Sequence, residues 1–144
     1  MLRFVKVENM FWGGIGLRKF VILAALFVAS QGSAGAITGN DLHEICTDGG
    51  AVGNSACSFY IIGAWEGLNY GVSIPFMMAN QGTSTAAVNQ YRSSIFGVCG
   101  DEMVSNSQVV DVVGNYLRNT PEKRHFPARG LVLNAMSQAF PCAQ

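Results

Sequence analysis

Cys57-Ser58-Phe59-Tyr60-Ile61-Ile62-Gly63-Ala64-Trp65-Glu66-Gly67-Leu68 is the stretch whose reading decides the fold. Cys57, Tyr60, Ile61, Ala64, Trp65 and Leu68 recur at the three- and four-residue spacing of one α-helix face. Phe59 and Ile62 widen that face, so this is expected to be the central and most buried helix, capped by Asn54 or Ser55. Tyr60 and Trp65 are read as core rather than as a ligand-stacking pair, because aromatics at helical spacing usually supply core area. Glu66, on the other side, reads as a solvated carboxylate.

Upstream, Asp48-Gly49-Gly50-Ala51-Val52-Gly53-Asn54 holds three glycines in five residues and reads as a loop, since glycine weakens a helix and frees the chain to turn. It lacks the Gly-Lys-Ser/Thr that a phosphate-cradling loop needs. Before it, Ile37 to Cys46 reads as a short helix, with Leu42 and Ile45 as an apolar pair and Thr38, Asn40 or Asp41 as the cap.

Downstream, Pro75 is expected to break or kink whatever precedes it. Phe76, Met77 and Met78 are adaptable apolar residues, followed by a polar turn, Gln81-Gly82-Thr83-Ser84-Thr85. Ala86 to Phe96 carries a helical pattern through Val88, Tyr91 and Ile95, so Gly71 to Val98 either folds back as an extra helix or projects as a loop. Ser105 with Gln108 three residues on forms a capping-box pattern. Val109, Val112, Val113, Tyr116 and Leu117 then follow at helical spacing, up to Asn119-Thr120-Pro121. Pro121 to Pro127 is a polar connection with Lys123, Arg124 and a solvated His125. A last helix is expected from Ala128 to Phe140, its face made by Leu131, Val132, Ala135, Met136 and Ala139, with Pro141 as the stop.

The N-terminus has the layout of a secretory signal peptide: Arg18 and Lys19, an apolar run of about ten residues from Phe20 to Ala29, then a small-x-small site at Ala34-Gly35-Ala36. A bilayer span would need about twenty apolar residues. Cleavage is expected after Ala36, with Met10 as an alternative start, leaving a single domain from Ile37 to Gln144. That domain keeps five basic and eight acidic residues, too few clustered cations for nucleic acid and a better fit to a basic protein partner.

Cys46, Cys57, Cys99 and Cys142 all lie in it, and an even count behind a signal peptide reads as two disulfides. Zinc, suggested by His43-x-x-Cys46, lacks a second close ligand pair. Cys46 and Cys57 flank the glycine loop, and Cys99 and Cys142 bracket the last two helices, which favours pairing each set within itself. The expected fold is all-α, a compact bundle of about four to five helices with two intramolecular disulfides. No Gly-x-Ser-x-Gly elbow occurs. Asp101, Glu102 and Asp111 read as complements to a helix dipole rather than as a catalytic pair. No nucleophile, base and orienter can be assembled, and neither an enzymatic activity nor a cofactor or metal is expected.

Several pieces taken together carry a family resemblance: Cys57-Ser58-Phe59-Tyr60-Ile61-Ile62-Gly63, Cys99, Val104-Ser105-Asn106-Ser107-Gln108, Tyr116-Leu117, Pro121 with His125, and Ala135-Met136-Ser137-Gln138-Ala139-Phe140-Pro141-Cys142. The chain resembles the Rap/Tai family of immunity proteins, which protect against peptidoglycan amidases delivered by type VI secretion systems. The resemblance implies a periplasmic, all-helical protein, often a homodimer, that inhibits an amidase by occluding its active-site cleft. It also implies a projecting inhibitory loop, for which the candidates are Gly49, Gly50, Gly53 and Asn54, or Gln81, Gly82, Thr83, Ser84 and Thr85. Gly71 to Val98 has no placed counterpart in it. The alternative function is a small periplasmic acid-stress chaperone or another non-catalytic helical binding protein.

Overall fold

The computed structural model describes residues 35–143. The apolar run and charged flank of the expected signal segment, and Met10, lie outside them. Five helices form the domain: α1 Gly39–Thr47, α2 Ala51–Ala79, α3 Thr85–Phe96, α4 Asn106–Asn119 and α5 Ala128–Ala139. Two 3-10 turns, Asp101–Met103 and Pro121–Lys123, precede α4 and α5. The described residues hold no strand, only isolated bridges between Thr38 and Pro127 and between Val98 and Pro141. The fold is all-α, as expected.

Three of the five helices, α1, α3 and α4, start where a side chain satisfies a free N–H group. Thr38 caps α1 in a full capping box: its hydroxyl accepts from the Asp41 N–H, and the Asp41 carboxylate accepts from the Thr38 N–H at 2.8 Å. The Ser105 hydroxyl accepts from the Gln108 N–H at the head of α4. Ser84 does the same for Ala87 at the head of α3. The expected cap of α2 is wrong. Gly50 occupies that position, so α2 begins at Ala51, and Gly53 and Asn54 lie in its first turn instead of in a loop. Asp48 turns the chain, Gly49 adopts φ +71°, and the connection shrinks to three residues because the Cys46–Cys57 bridge holds the two helices together.

The core is built largely from the faces expected of the sequence, except that Ala139, expected on the face of α5, is exposed. Leu42 of α1, Cys57, Ile61 and Trp65 of α2, Val109, Val113, Tyr116 and Leu117 of α4, and Leu131, Val132, Ala135 and Met136 of α5 are all buried. Phe59 departs from expectation: it points to solvent, 75% exposed. Nor is α2 the most buried helix, with four of its 29 residues buried against five of the 12 in α5, because its second half leaves the core. The N-terminal segment is sewn to the α4–α5 connection, with the Gly39 N–H donating to the Phe126 carbonyl at 2.9 Å and the Ala128 N–H to that of Ile37 at 2.8 Å. Gly39 is required there, because a Cβ would collide with Leu131 and come 2.9 Å from the Arg124 backbone.

α2 does not stop at Pro75. Its 29 residues carry the chain about 43 Å, well beyond the core. Proline removes the N–H that would bond the Gly71 carbonyl, and both residues are exposed, so water can satisfy that carbonyl. α3 then folds back along α2, resolving Gly71 to Val98 as an antiparallel helical arm. No residue of α2 beyond Trp65, and none of α3, is buried.

Candidate partner-binding surface

The arm is held by aromatic contacts along its length and by a polar clamp at its base. Phe76 and Tyr91 stack near its tip with ring centroids 4.2 Å apart and planes 13° apart. Trp65 and Phe96 meet at 6.3 Å where it joins the core. There the Arg92 guanidinium donates to both carboxylate oxygens of Asp101 at 2.9 Å. Asp101 is the buried charged residue of the core, so its dipole role in α4 is secondary to this ion pair. The Cys99–Cys142 disulfide lies beside the clamp, and the Cys99 N–H donates to the Phe140 carbonyl at 2.9 Å. Both disulfides pair as expected, Cys46 with Cys57 and Cys99 with Cys142. Bonded as a disulfide, Cys46 has no thiolate to offer the zinc arrangement with His43.

The two candidate loops differ in character. Gly49 and Gly50 sit in a tight, disulfide-bounded turn. Gly53 is buried, and a Cβ on it would come 2.7 Å from Asp48 Oδ2. Asn54 is exposed on the first turn of α2. Beside this turn Asp41, Glu44 and Asp48, with Ile45, Val52 and Ala56, line a cleft of about 400 Å³. Hydrogen bonds from Thr38 hold the Asp41 carboxyl below the ordinary aspartate value. The Gln81–Ser84 segment, in contrast, forms the tip of the arm. Gly82 takes φ +79° there with open space around it, and the Thr83 N–H donates to the Asn80 carbonyl at 3.1 Å. Thr85 belongs to α3 and not to the turn.

On the sides of the arm, the methionine stretch Phe76-Met77-Met78 is legible in the sequence as a surface suited to a partner, whereas Tyr70, Ile74, Tyr91 and Ile95 are not. Tyr70, Ile74, Met77 and Met78 on α2, and Tyr91 and Ile95 on α3, are all exposed. Between the two helices runs a groove of about 400 Å³ lined by Asn69, Ser73, Asn89 and Arg92 among others. The Asn69 Oδ1 atom is buried and accepts no hydrogen bond. Buried acceptors without partners are uncommon and costly, so a donor entering the groove would gain from it. The available signal was the absence of any charged residue or histidine from Gly67 to Tyr91, a stretch too long for a solvated loop.

At the opposite end, α1 and the α4–α5 connection bring cations around His43. Partial burial, then Arg124 and Arg118, push its pKa below the ordinary histidine value. Arg124 also caps α4, its Nε donating to the Leu117 carbonyl and Nη2 to that of Arg118 at 3.2 Å.

The sequence model of the family described as Rap1a immunity proteins matches residues 38–142, nearly the whole described domain. The chain belongs to this family. Rap1a membership covers both disulfides, all five helices and the arm, including the segment for which the sequence resemblance had no counterpart. It makes the chain a member of a family of immunity proteins, whose partners are effector proteins. No curated protein and no solved structure matches the chain. Among the described residues, no helix is long and apolar enough to cross a membrane.

Proposed function

We propose that this Rap1a-family chain is a periplasmic immunity protein that binds and inhibits a peptidoglycan amidase effector, and that it does so by inserting the tip of the α2–α3 arm into the enzyme's active-site cleft. The observation that carries the reading is the arm itself: two antiparallel helices projecting from a twice-stapled core, ending in the uncharged, exposed turn Gln81–Ser84. A cleft that admits a polymer strand is open at both ends, and a narrow two-helix arm can block it without chemistry of its own. Polar side chains at the tip supply donors and acceptors to the cleft floor, and the exposed apolar flanks supply area to its walls. The glycine turn at Gly49 and Gly50 serves this purpose poorly, because it is short and clamped by the Cys46–Cys57 bridge. Disulfides and export to an oxidising compartment belong together, which supports the periplasmic assignment.

The deciding experiment titrates the oxidised protein against hydrolysis of peptidoglycan by purified type VI amidase effectors. Stoichiometric inhibition is expected, with Gln81→Trp at the arm tip weakening it by roughly tenfold or more. If these amidases run unimpaired at micromolar protein, the amidase reading fails. The acid-stress chaperone then becomes the next hypothesis to measure, by suppression of aggregation near pH 3.

A further inference from the structure

The groove in the arm is built from both of its helices. Glu66, Asn69, Tyr70, Ser73 and Met77 follow at three- and four-residue steps along one face of α2, and so line it over about 16 Å. Val88, Asn89 and Arg92 line it from α3. Its volume of about 400 Å³ lies inside the range of roughly 300–1,000 Å³ found for small-molecule sites.

The fold leaves the polar groups of this groove unfinished. Asn69 Oδ1 is buried and accepts no hydrogen bond from the described residues, an uncommon state that costs stability until a donor arrives. Arg92 commits Nη2 to both carboxylate oxygens of Asp101 at 2.9 Å, and a guanidinium carries further donors on Nε and Nη1. That pairing also balances its charge. Tyr70 contributes a ring that is 64% exposed. A buried acceptor, spare donors, an aromatic ring and the apolar side chains of Met77 and Val88 therefore line one cavity.

The geometry points to a neutral saccharide of N-acetylated amino sugars as the ligand of this groove. The acetamido N–H donates to Asn69 Oδ1, its carbonyl accepts from Arg92, and its methyl group rests on Val88 and Met77. Ring hydroxyls both donate and accept, which suits the Glu66 carboxylate and the Asn89 amide together. The C–H face of the sugar covers Tyr70. Simple ions fit less well, since a cation meets Arg92 and an anion meets Glu66. A wholly apolar ligand leaves the Asn69 acceptor unpaired. A peptide brings the same amide groups without the hydroxyls, and the experiment separates the two. In the periplasm the source of such a saccharide is the glycan strand of the wall, which would hold the protein where its effector acts. That choice of source rests on the periplasmic reading above, whereas the chemistry of the groove does not.

The test titrates the full chain, both disulfides intact, with tri-N-acetylchitotriose and follows the side-chain amides by NMR. Saturable shifts of the Asn69 and Asn89 amides are expected at about millimolar sugar. Asn69→Leu and Tyr70→Ala should each weaken binding by roughly tenfold while far-UV circular dichroism is unchanged. Phe59→Ala, which removes an exposed ring outside the groove, should leave binding intact. Cellotriose, which lacks the acetamido groups, should bind at least roughly tenfold more weakly. The inference is overturned by the absence of saturable shifts at about 20 mM trisaccharide, or by equal binding of cellotriose. Binding that survives both substitutions, or a tetra-alanine peptide that shifts the same amides as strongly, overturns it too. Retention of the wild-type chain but not Asn69→Leu on purified sacculi assigns the wall strand as the source; binding of the soluble trisaccharide alone assigns a free sugar. No amidase enters these measurements, so their failure leaves the inhibitory reading to be decided by its own titration.

Discussion

Two ionisable residues of α1, His43 and Asp41, give the domain part of its response to acid. His43 is held neutral by partial burial and by the nearby Arg124 and Arg118, so its folded pKa lies below the 6.5 of a free imidazole. The unfolded chain therefore binds a proton that the folded chain resists, and stability falls as pH drops below about 6.5 toward the folded value. Asp41 acts lower on the scale. Its carboxylate is stabilised by the Thr38 capping box, a contribution present above about pH 3.8 and lost as pH falls through the depressed folded value. Urea midpoints should consequently decline between pH 7 and 5, and His43→Gln should flatten that decline without touching the loss below pH 4. A histidine pressed by two arginines is invisible in sequence, since Arg118 and Arg124 lie more than seventy residues from it. Arg92 and Asp101 are only nine residues apart, and they are joined across the base of the arm after the left-handed turns at Gly97 and Gly100.

At the scale of elements, the helices that bury a face were legible because a 3.6-residue period survives any tertiary context. α1, α4 and α5 end within two residues of their expected limits. α2 was not legible at either end. Three glycines read as a loop, yet Gly53 is there because Asp48 and the Ile45 carbonyl approach its Cα, a contact no local pattern reports. Pro75 read as a break or a kink, yet the helix continues through it to Ala79, with Gly71 and Pro75 both exposed so that water can take the unpaired carbonyl. The cysteine pairing was recoverable because each pair flanks a single connection or helix pair. It also predicts unequal roles. Cys46–Cys57 spans 11 residues and Cys99–Cys142 spans 43. On loop entropy they contribute about 3 and 4 kcal/mol respectively, each a large part of a stability of about 5–15 kcal/mol. Replacing Cys99 and Cys142 together by alanine should lower the chemical-denaturation midpoint more than replacing Cys46 and Cys57. It should also speed amide exchange in α3, whose root that bridge secures.

Over the described residues, charge is gathered away from the arm. Asp41, Glu44 and Asp48 gather beside the first bridge, Arg118, Lys123, Arg124 and Arg129 around the α4–α5 connection, and the arm from Gly67 to Tyr91 carries no charge. A basic partner, expected from the acidic balance, would be drawn to α1, whereas an uncharged arm binds by area and hydrogen bonds. Effector affinity should thus change by less than about threefold between 50 and 500 mM salt if the arm is the contact. A steep weakening would move the contact to the acidic cleft. The order of the bridges has its own consequence for manufacture. First cysteine joins second and third joins fourth, so a chain exported as proposed, threading from its N-terminus through a translocation pore, can be oxidised in order of emergence. Each thiol meets its native mate before a wrong one arrives, and a cell lacking a disulfide-shuffling catalyst should still deliver the correctly bonded protein.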